Sequence, residues 1–195
     1  MPLPLSGTSA TDVGNLGLDV DFAGKLSSLL SRCHDDDLDF KLSQAVRSPQ
    51  VQAEYYCQWE QRSPAQIDAA AKQLEDDGAP WLASLLRKNR DIPRSPDWLT
   101  SALPGAGWHQ WGLAADCYCY RDGKMVKDGN DPCYKQYAAF ATKLGLTAGY
   151  NFKKHQDSGH VQGPSAIDST SIFKWAHIDA VMKARFGDKD TVAPK

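Results

Sequence analysis

Apolar residues recur at helical spacing at Phe22, Leu26, Leu29 and Leu30, with Asp19 or Asp21 placed to cap the first turn. Asp35, Asp36 and Asp37 follow as a solvated acidic turn. Residues 40–46 alternate apolar and polar and predict a strand. Ser48-Pro49 then starts a helix expected to reach about Arg62, carrying Tyr55, Tyr56 and Trp59. Ser63-Pro64 repeats that signal for a helix to about Asp76, stopped by Gly78, and a third helical segment is expected around residues 81–86. Pro93, Pro96, Pro104, Gly105 and Gly107 mark residues 90–108 as loop.

The second half predicts a strand over residues 113–120, a turn at Asp122-Gly123, and an amphipathic helix over residues 132–144 ended by Gly145. Short extended pieces are expected at 147–152 and 159–162, then a helix over 171–186 closed by Gly187. Helices mixed with a few antiparallel strands define an α+β fold, a small antiparallel sheet flanked by helices. There is no internal repeat.

The 195 residues suffice for one domain with a hydrophobic core, and 42% apolar with 24% charged residues is an ordinary globular balance. Residues 1–18 read as a flexible lead-in, 19–188 as the domain, and 189–195 as a tail. The net charge of -2, without a basic stripe, argues against a nucleic-acid partner. No segment approaches the ~18 consecutive apolar residues of a membrane span, so no membrane partner is expected. Residues 1–20 lack the basic start and apolar core of a signal peptide. Synthesis in the cytoplasm is expected, with any outside target reached by release or delivery. The five cysteines cannot all pair and contain no CxxC motif, so buried core thiols are the expectation, with a disulfide acquired after export as the alternative.

Two patches carry candidate chemistry: His109-Gln-Trp-Gly112-Leu-Ala114-Ala-Asp116 and Asp157-Ser-Gly-His160-Val-Gln162. Zinc donors must stand ~2.0–2.2 Å from the ion. On a straight strand His109 and Asp116 would face opposite sides, and on a helix they would lie ~10 Å apart along the axis. A loop bending into a strand brings both to one ion, and Gly112 supplies the permissive backbone for that bend. His160 would add a third donor, leaving the open position of a catalytic rather than a structural site. Asp157, three residues earlier, would face the reacting water without binding metal. The bland alternative makes His109 a packed histidine beside Trp108 and Trp111, and Asp157 a turn residue. His34, His155 and His177 are assigned to surface or packing.

Together the two patches resemble the metallopeptidases that include D-alanyl-D-alanine carboxypeptidases and phage L-alanyl-D-glutamate endopeptidases, relatives of the hedgehog fold. That family's His-x-x-Gly-x-Ala-x-Asp motif is matched by His109, Gly112, Ala114 and Asp116, and its acid-x-x-His motif by Asp157 and His160. Arg47-Ser48-Pro-Gln-Val-Gln52 matches its Arg-Ser-x-x-x-Gln element. The motifs span about 120 residues in the family's order. The resemblance implies one zinc ion per chain on His109, Asp116 and His160, with Asp157 as catalytic acid/base. It also implies that Arg47 and Gln52 lie on the substrate side, Arg47 supporting substrate or transition state; without it, Arg47 would read as a surface arginine flanking a helix. The chain departs from the pattern at Gly107, where the family commonly has Ser, and in Gly145-Leu146-Thr-Ala-Gly149-Tyr150-Asn-Phe152, where a Gly-Gly-aromatic segment is usual. Both departures bear on substrate choice more than on the ligands.

The implied activity is zinc-dependent hydrolysis of peptidoglycan stem peptides by a monomer. Asp at the shuttle position resembles the L-alanyl-D-glutamate endopeptidases, and a phage endolysin or a delivered antibacterial lysin is expected. A D-alanyl-D-alanine carboxypeptidase is the enzyme alternative, and a peptidoglycan-binding module that lost catalysis is the alternative of another class. A partner-binding role would draw on the six tryptophans, which read more simply as core and pocket wall.

Overall fold

The computed structural model describes residues 16–97 and 99–187; the expected tail and most of the expected lead-in lie outside them. In chain order the elements are α1 (Val20–Asp35), β1 (Asp39–Gln44), α2 (Pro49–Cys57), α3 (Pro64–Asp76) and α4 (Pro80–Lys88). They continue with the single turn α5 (Trp108–Trp111), β2 (Ala114–Arg121), β3 (Lys124–Met125), α6 (Pro132–Lys143), β4 (Thr147–Ala148), β5 (His160–Gln162) and α7 (Trp175–Phe186). The fold is α+β, as the alternation of patterns predicts. The described residues fall into two compact units, one within residues 1–46 and 111–165 and the other within residues 47–110 and 166–195.

In the first unit the strands run β1-β2-β5-β4, with β3 on β2, every pairing antiparallel. Asp19 caps α1, its carboxylate accepting from the amides of Asp21 and Phe22. That fixes the phase that buries Phe22, Leu26 and Leu29 beneath the sheet residues Leu42, Cys117 and Val161. From α6, Tyr137 and Ala141 complete this core, and the Tyr137 ring stacks on Phe40 at 4.4 Å. Side chains alternate across β2, so Cys117 and Cys119 are buried while Asp116 and Tyr118 occupy the opposite, partly open face. Asp122 and Gly123 turn β2 into β3 with φ of 52° and 74°.

In the second unit α2, α3, α4 and α7 bury Ala53, Ile67, Leu74, Leu82, Leu86, Ile178 and Met182. Ser63 and Gln66 close a capping box on α3. The N-cap residue of α4, Ala79, has no side-chain acceptor, and Asp179 of α7 accepts the Leu82 amide at 2.8 Å instead.

Two helix bounds differ from expectation. α2 ends at Cys57 rather than near Arg62, because Arg62 and Arg94 donate to the carbonyls of Tyr56 and Cys57. Gln58 and Glu60 then turn their backbone groups to Ser95, which leaves Trp59 on an isolated bridge instead of a helix. α7 starts at Trp175 rather than Ser171, since residues 169–171 form a separate 3-10 turn capped by Asp168. All five cysteines are free and buried, the first of the two expectations for them.

Candidate metal centre

Asp116 and His160 stand directly opposite each other on β2 and β5. A cross-strand pair shares one face of the sheet, so both side chains meet there. His160 Nδ1 is 3.0 Å from Asp116 Oδ1, and the two side chains are 12% and 14% exposed. Gln162, two residues along β5 and therefore on the same face, places Oε1 3.0 Å from His160 Nε2. Its own Nε2 donates to Pro164 O, so only its acceptor faces the imidazole. His160 Nε2 therefore carries hydrogen, and Nδ1 is the nitrogen turned to the carboxylate. Burial alone would lower the His160 pKa, but the hydrogen bond and charge of Asp116, with Asp157 and Gln162 adding to them, raise it above 6.5.

His109 lies in the one-turn helix α5 rather than at the end of an open loop, and is 7% exposed. Gly112 ends that turn with φ of 76°, the bend that the seven-residue spacing requires. His109, Asp116 and His160 each offer one ligand atom, and these atoms all lie within 4.8 Å of one another. Two imidazoles and a carboxylate form a donor set suited to zinc and other divalent metals, and the spacing suits a single ion.

Asp157 is exposed at the turn before β5. Its amide donates to Gly149 O at 3.0 Å and its carbonyl accepts the His160 amide at 3.1 Å. Gly149 is indispensable to this packing: a Cβ there would stand 2.5 Å from Asp157 O and 2.9 Å from His160 Cβ. Gly159 is equally constrained, with Cys117 O 2.6 Å from where its Cβ would be. In the sequence Gly149 stands out only as a departure from the family's pattern; its role lies in a close approach that no local spacing reveals.

Gln52, which the family resemblance puts on the substrate side, is only 1% exposed. Its Oε1 accepts from Arg47 Nη1 at 2.8 Å and Gln110 Nε2 at 3.2 Å, while its Nε2 donates to Thr100 Oγ1 and Ala102 O. A fully engaged amide holds its neighbours and has no donor left for substrate. Gln52 thus orients the Arg47 side chain, whose guanidinium also lies over the Tyr55 ring at 5.0 Å. The Arg47 amide donates to His109 O at 3.4 Å. Gln110, absent from the sequence expectations, is fully buried and accepts the Gly105 amide at 2.7 Å. Its Nε2 lies 3.2 Å from where a Gly107 Cβ would stand, so the glycine departure leaves space that Gln110 fills.

His34, His155 and His177 are exposed, as surface assignment requires, and His177 packs on Phe173 with ring centroids 5.0 Å apart. Among the described residues no helix is long and apolar enough to cross a membrane.

Comparison with known proteins follows the same residues. A family model described as VanY, D-alanyl-D-alanine carboxypeptidase, matches residues 15–164, which contain every motif residue named above. No curated protein matches the chain. Similar solved structures include the Serratia marcescens L-Ala D-Glu endopeptidase ChiX, at 14% identity and a TM-score of 0.43, covering 83% of this chain and 90% of that one. The LdcB LD-carboxypeptidase is similar at 12% identity and a TM-score of 0.42, covering 86% of this chain and 64% of that one. With the family model spanning most of its length, this chain belongs to the VanY family of D-alanyl-D-alanine carboxypeptidases, peptidases of bacterial peptidoglycan.

Proposed function

We propose that this chain is a zinc-dependent endopeptidase that cuts the L-alanyl-D-glutamate bond of peptidoglycan stem peptides. The observation that carries the reading is the donor set of His109, Asp116 and His160, with the exposed Asp157 three residues from the last donor. His109, Asp116 and His160 would hold a divalent cation, and the chemistry it would supply there is to polarise a carbonyl and make water a stronger acid. Asp157 takes the proton of the attacking water and returns it to the leaving amine. Its backbone, fastened to Gly149 and His160, sets the turn from which that side chain projects. Arg47, oriented by Gln52, donates to the oxygen on which charge develops, a role its permanent charge and planar fork suit. Gln162 sets the His160 tautomer, as outer hydrogen bonds do for metal-bound imidazoles.

Asp rather than Glu at position 157 favours the endopeptidase, by the family resemblance. The family's own description favours a second reading, removal of a terminal D-alanine. As an endopeptidase the chain would serve as a phage endolysin or a delivered antibacterial lysin. The test is turnover of a synthetic stem peptide by wild type, Asp157→Ala and His160→Ala, with metal content measured on each. Asp157→Ala should lose about 10²-fold or more in kcat while keeping one metal per chain, and His160→Ala should lose both. Equal turnover in wild type and Asp157→Ala would overturn the assignment of the proton shuttle.

A further inference from the structure

Cys119 and Cys133 share a hydrogen bond, thiol to thiol. With Tyr134 they form a buried cluster of their own, and the two cysteines are 2% and 4% exposed. The other cysteines are engaged elsewhere. Cys117 hydrogen-bonds Tyr137, Cys57 donates to Leu86 O at 3.7 Å, and Cys33 packs in the main core.

The surrounding contacts hold the two backbones together. Cys119 lies on β2 opposite Phe40 of β1, and Cys133 lies in the first turn of α6. Arg121, two residues after Cys119, and Asp131, two residues before Cys133, pair through hydrogen bonds of 3.1 and 3.2 Å. Asp131 also accepts the Cys133 amide at 3.0 Å. The Tyr134 hydroxyl accepts the Cys119 amide at 3.4 Å and donates to Val126 O at 2.8 Å. A disulfide forms without strain only where the backbone already brings the two side chains together. The flanking ion pair and the thiol–thiol hydrogen bond meet that condition here.

Such a pair stays reduced in the cytoplasm and is oxidised outside it. Peptidoglycan lies outside, so a peptidase of that polymer works where disulfide oxidants are present. We infer that Cys119 and Cys133 close a disulfide when the chain folds in an oxidising compartment, stapling β2 to α6. The oxidant is a small-molecule disulfide. One cysteine thiolate attacks it, forming a mixed disulfide and releasing one small thiolate. The second cysteine's thiolate then attacks the protein sulfur of that mixed disulfide and displaces the other small thiolate. The protein sulfurs thereby lose a pair of electrons, the small disulfide gains it, and both cysteine protons end on the released thiols. Burial raises both thiols in the native protein, so closure belongs to the folding chain and the reduced native form exchanges slowly. Closing a loop of about 15 residues removes freedom from the unfolded chain and so stabilises the folded one.

The test starts from wild type unfolded with reductant and refolded in a buffer of reduced and oxidised glutathione. The product is alkylated under denaturing conditions, digested and mapped by mass spectrometry. One link should appear, Cys119 to Cys133, with Cys33, Cys57 and Cys117 alkylated. The linked protein should melt about 5 °C or more above the same protein in reductant. That gain should vanish in Cys133→Ala and persist in Cys33→Ala. The mapping needs no variant, so it decides the matter even where a core substitution prevents folding. Five alkylated thiols from folded protein, a link that uses Cys33, Cys57 or Cys117, or a linked protein that melts no higher than the reduced one overturns the staple. Thiols and melting are read here, not turnover, so either result stands apart from the peptidase reading.

Discussion

His160 Nδ1 stands 3.0 Å from Asp116 Oδ1, and the two residues face each other across the antiparallel pair of β2 and β5. Both groups are candidate donors to one cation, so proton and metal compete for the same place. The carboxylate lifts the imidazole above 6.5 despite its burial. A pKa raised on folding stabilises the protein fully below the unfolded value, and the contribution disappears as pH rises through the folded value. The melting temperature of the metal-free protein should therefore fall as pH is raised from about 6 to about 8, apart from other titrations. Zinc should reverse that trend, with a stabilisation that grows with pH as fewer protons oppose it. Thermal melts with chelator or with zinc across that range check both slopes, and His160→Ala should flatten the difference between them.

Gly149→Ala tests how closely the Asp157 turn and His160 pack. The added methyl meets the Asp157 carbonyl and the His160 Cβ at distances no side chain tolerates. Displacing those groups should cost about 1–3 kcal/mol in chemical denaturation. Gly123→Ala, whose Cβ would enter open space, is the control. There the cost should be only the strain of a φ of 74°, about 1 kcal/mol, and metal affinity should stay unchanged.

How much of this was legible from the chain depends on how far apart the cooperating residues lie. α1 and α3 are announced locally by Asp19 and by Ser63 with Gln66, because a cap and its amides are neighbours. The bend between His109 and Asp116 was legible too, since a seven-residue spacing between two donors demanded it and Gly112 could provide it. The end of α2 was not, because Arg94, 37 residues from Cys57, supplies the terminating hydrogen bond. Nor was the role of Gln52 or Gln110, whose partners reach across 48 and 58 residues. The motif could name Gln52 but could not show that its amide is already spent.

Asp179 gives a stability prediction of the same long-range kind. Its carboxylate takes the Leu82 amide in the first turn of α4, where Ala79 offers nothing. Asp179→Ala should destabilise the protein by about 1–2 kcal/mol, the usual cost of losing an N-terminal acceptor that is also buried. Asp179→Asn keeps an acceptor oxygen and should recover most of it. Urea denaturation of the three proteins gives the comparison.

The cysteines predict a silent thiol assay. Burial pushes Cys57 up to about 11 and Cys33 and Cys117 up to about 12, so little thiolate exists near neutral pH. A disulfide-exchange reagent at about pH 8 should label native protein slowly at every site. After unfolding all five thiols should react at once. A fast-reacting thiol in the native state would mean that one of these environments opens in solution.

On the proposed reading, His109, Asp116, His160 and Asp157 make a metal-dependent stem-peptide hydrolase. Mass spectrometry of purified muropeptides incubated with the zinc-loaded protein, with and without chelator, tests it most directly. Fragments separated at the L-alanyl-D-glutamate bond should appear with zinc and vanish with chelator. Loss of a terminal D-alanine instead would move the cut to the carboxypeptidase bond. Intact muropeptides in both arms, from folded protein carrying one zinc per chain, would contradict the claim.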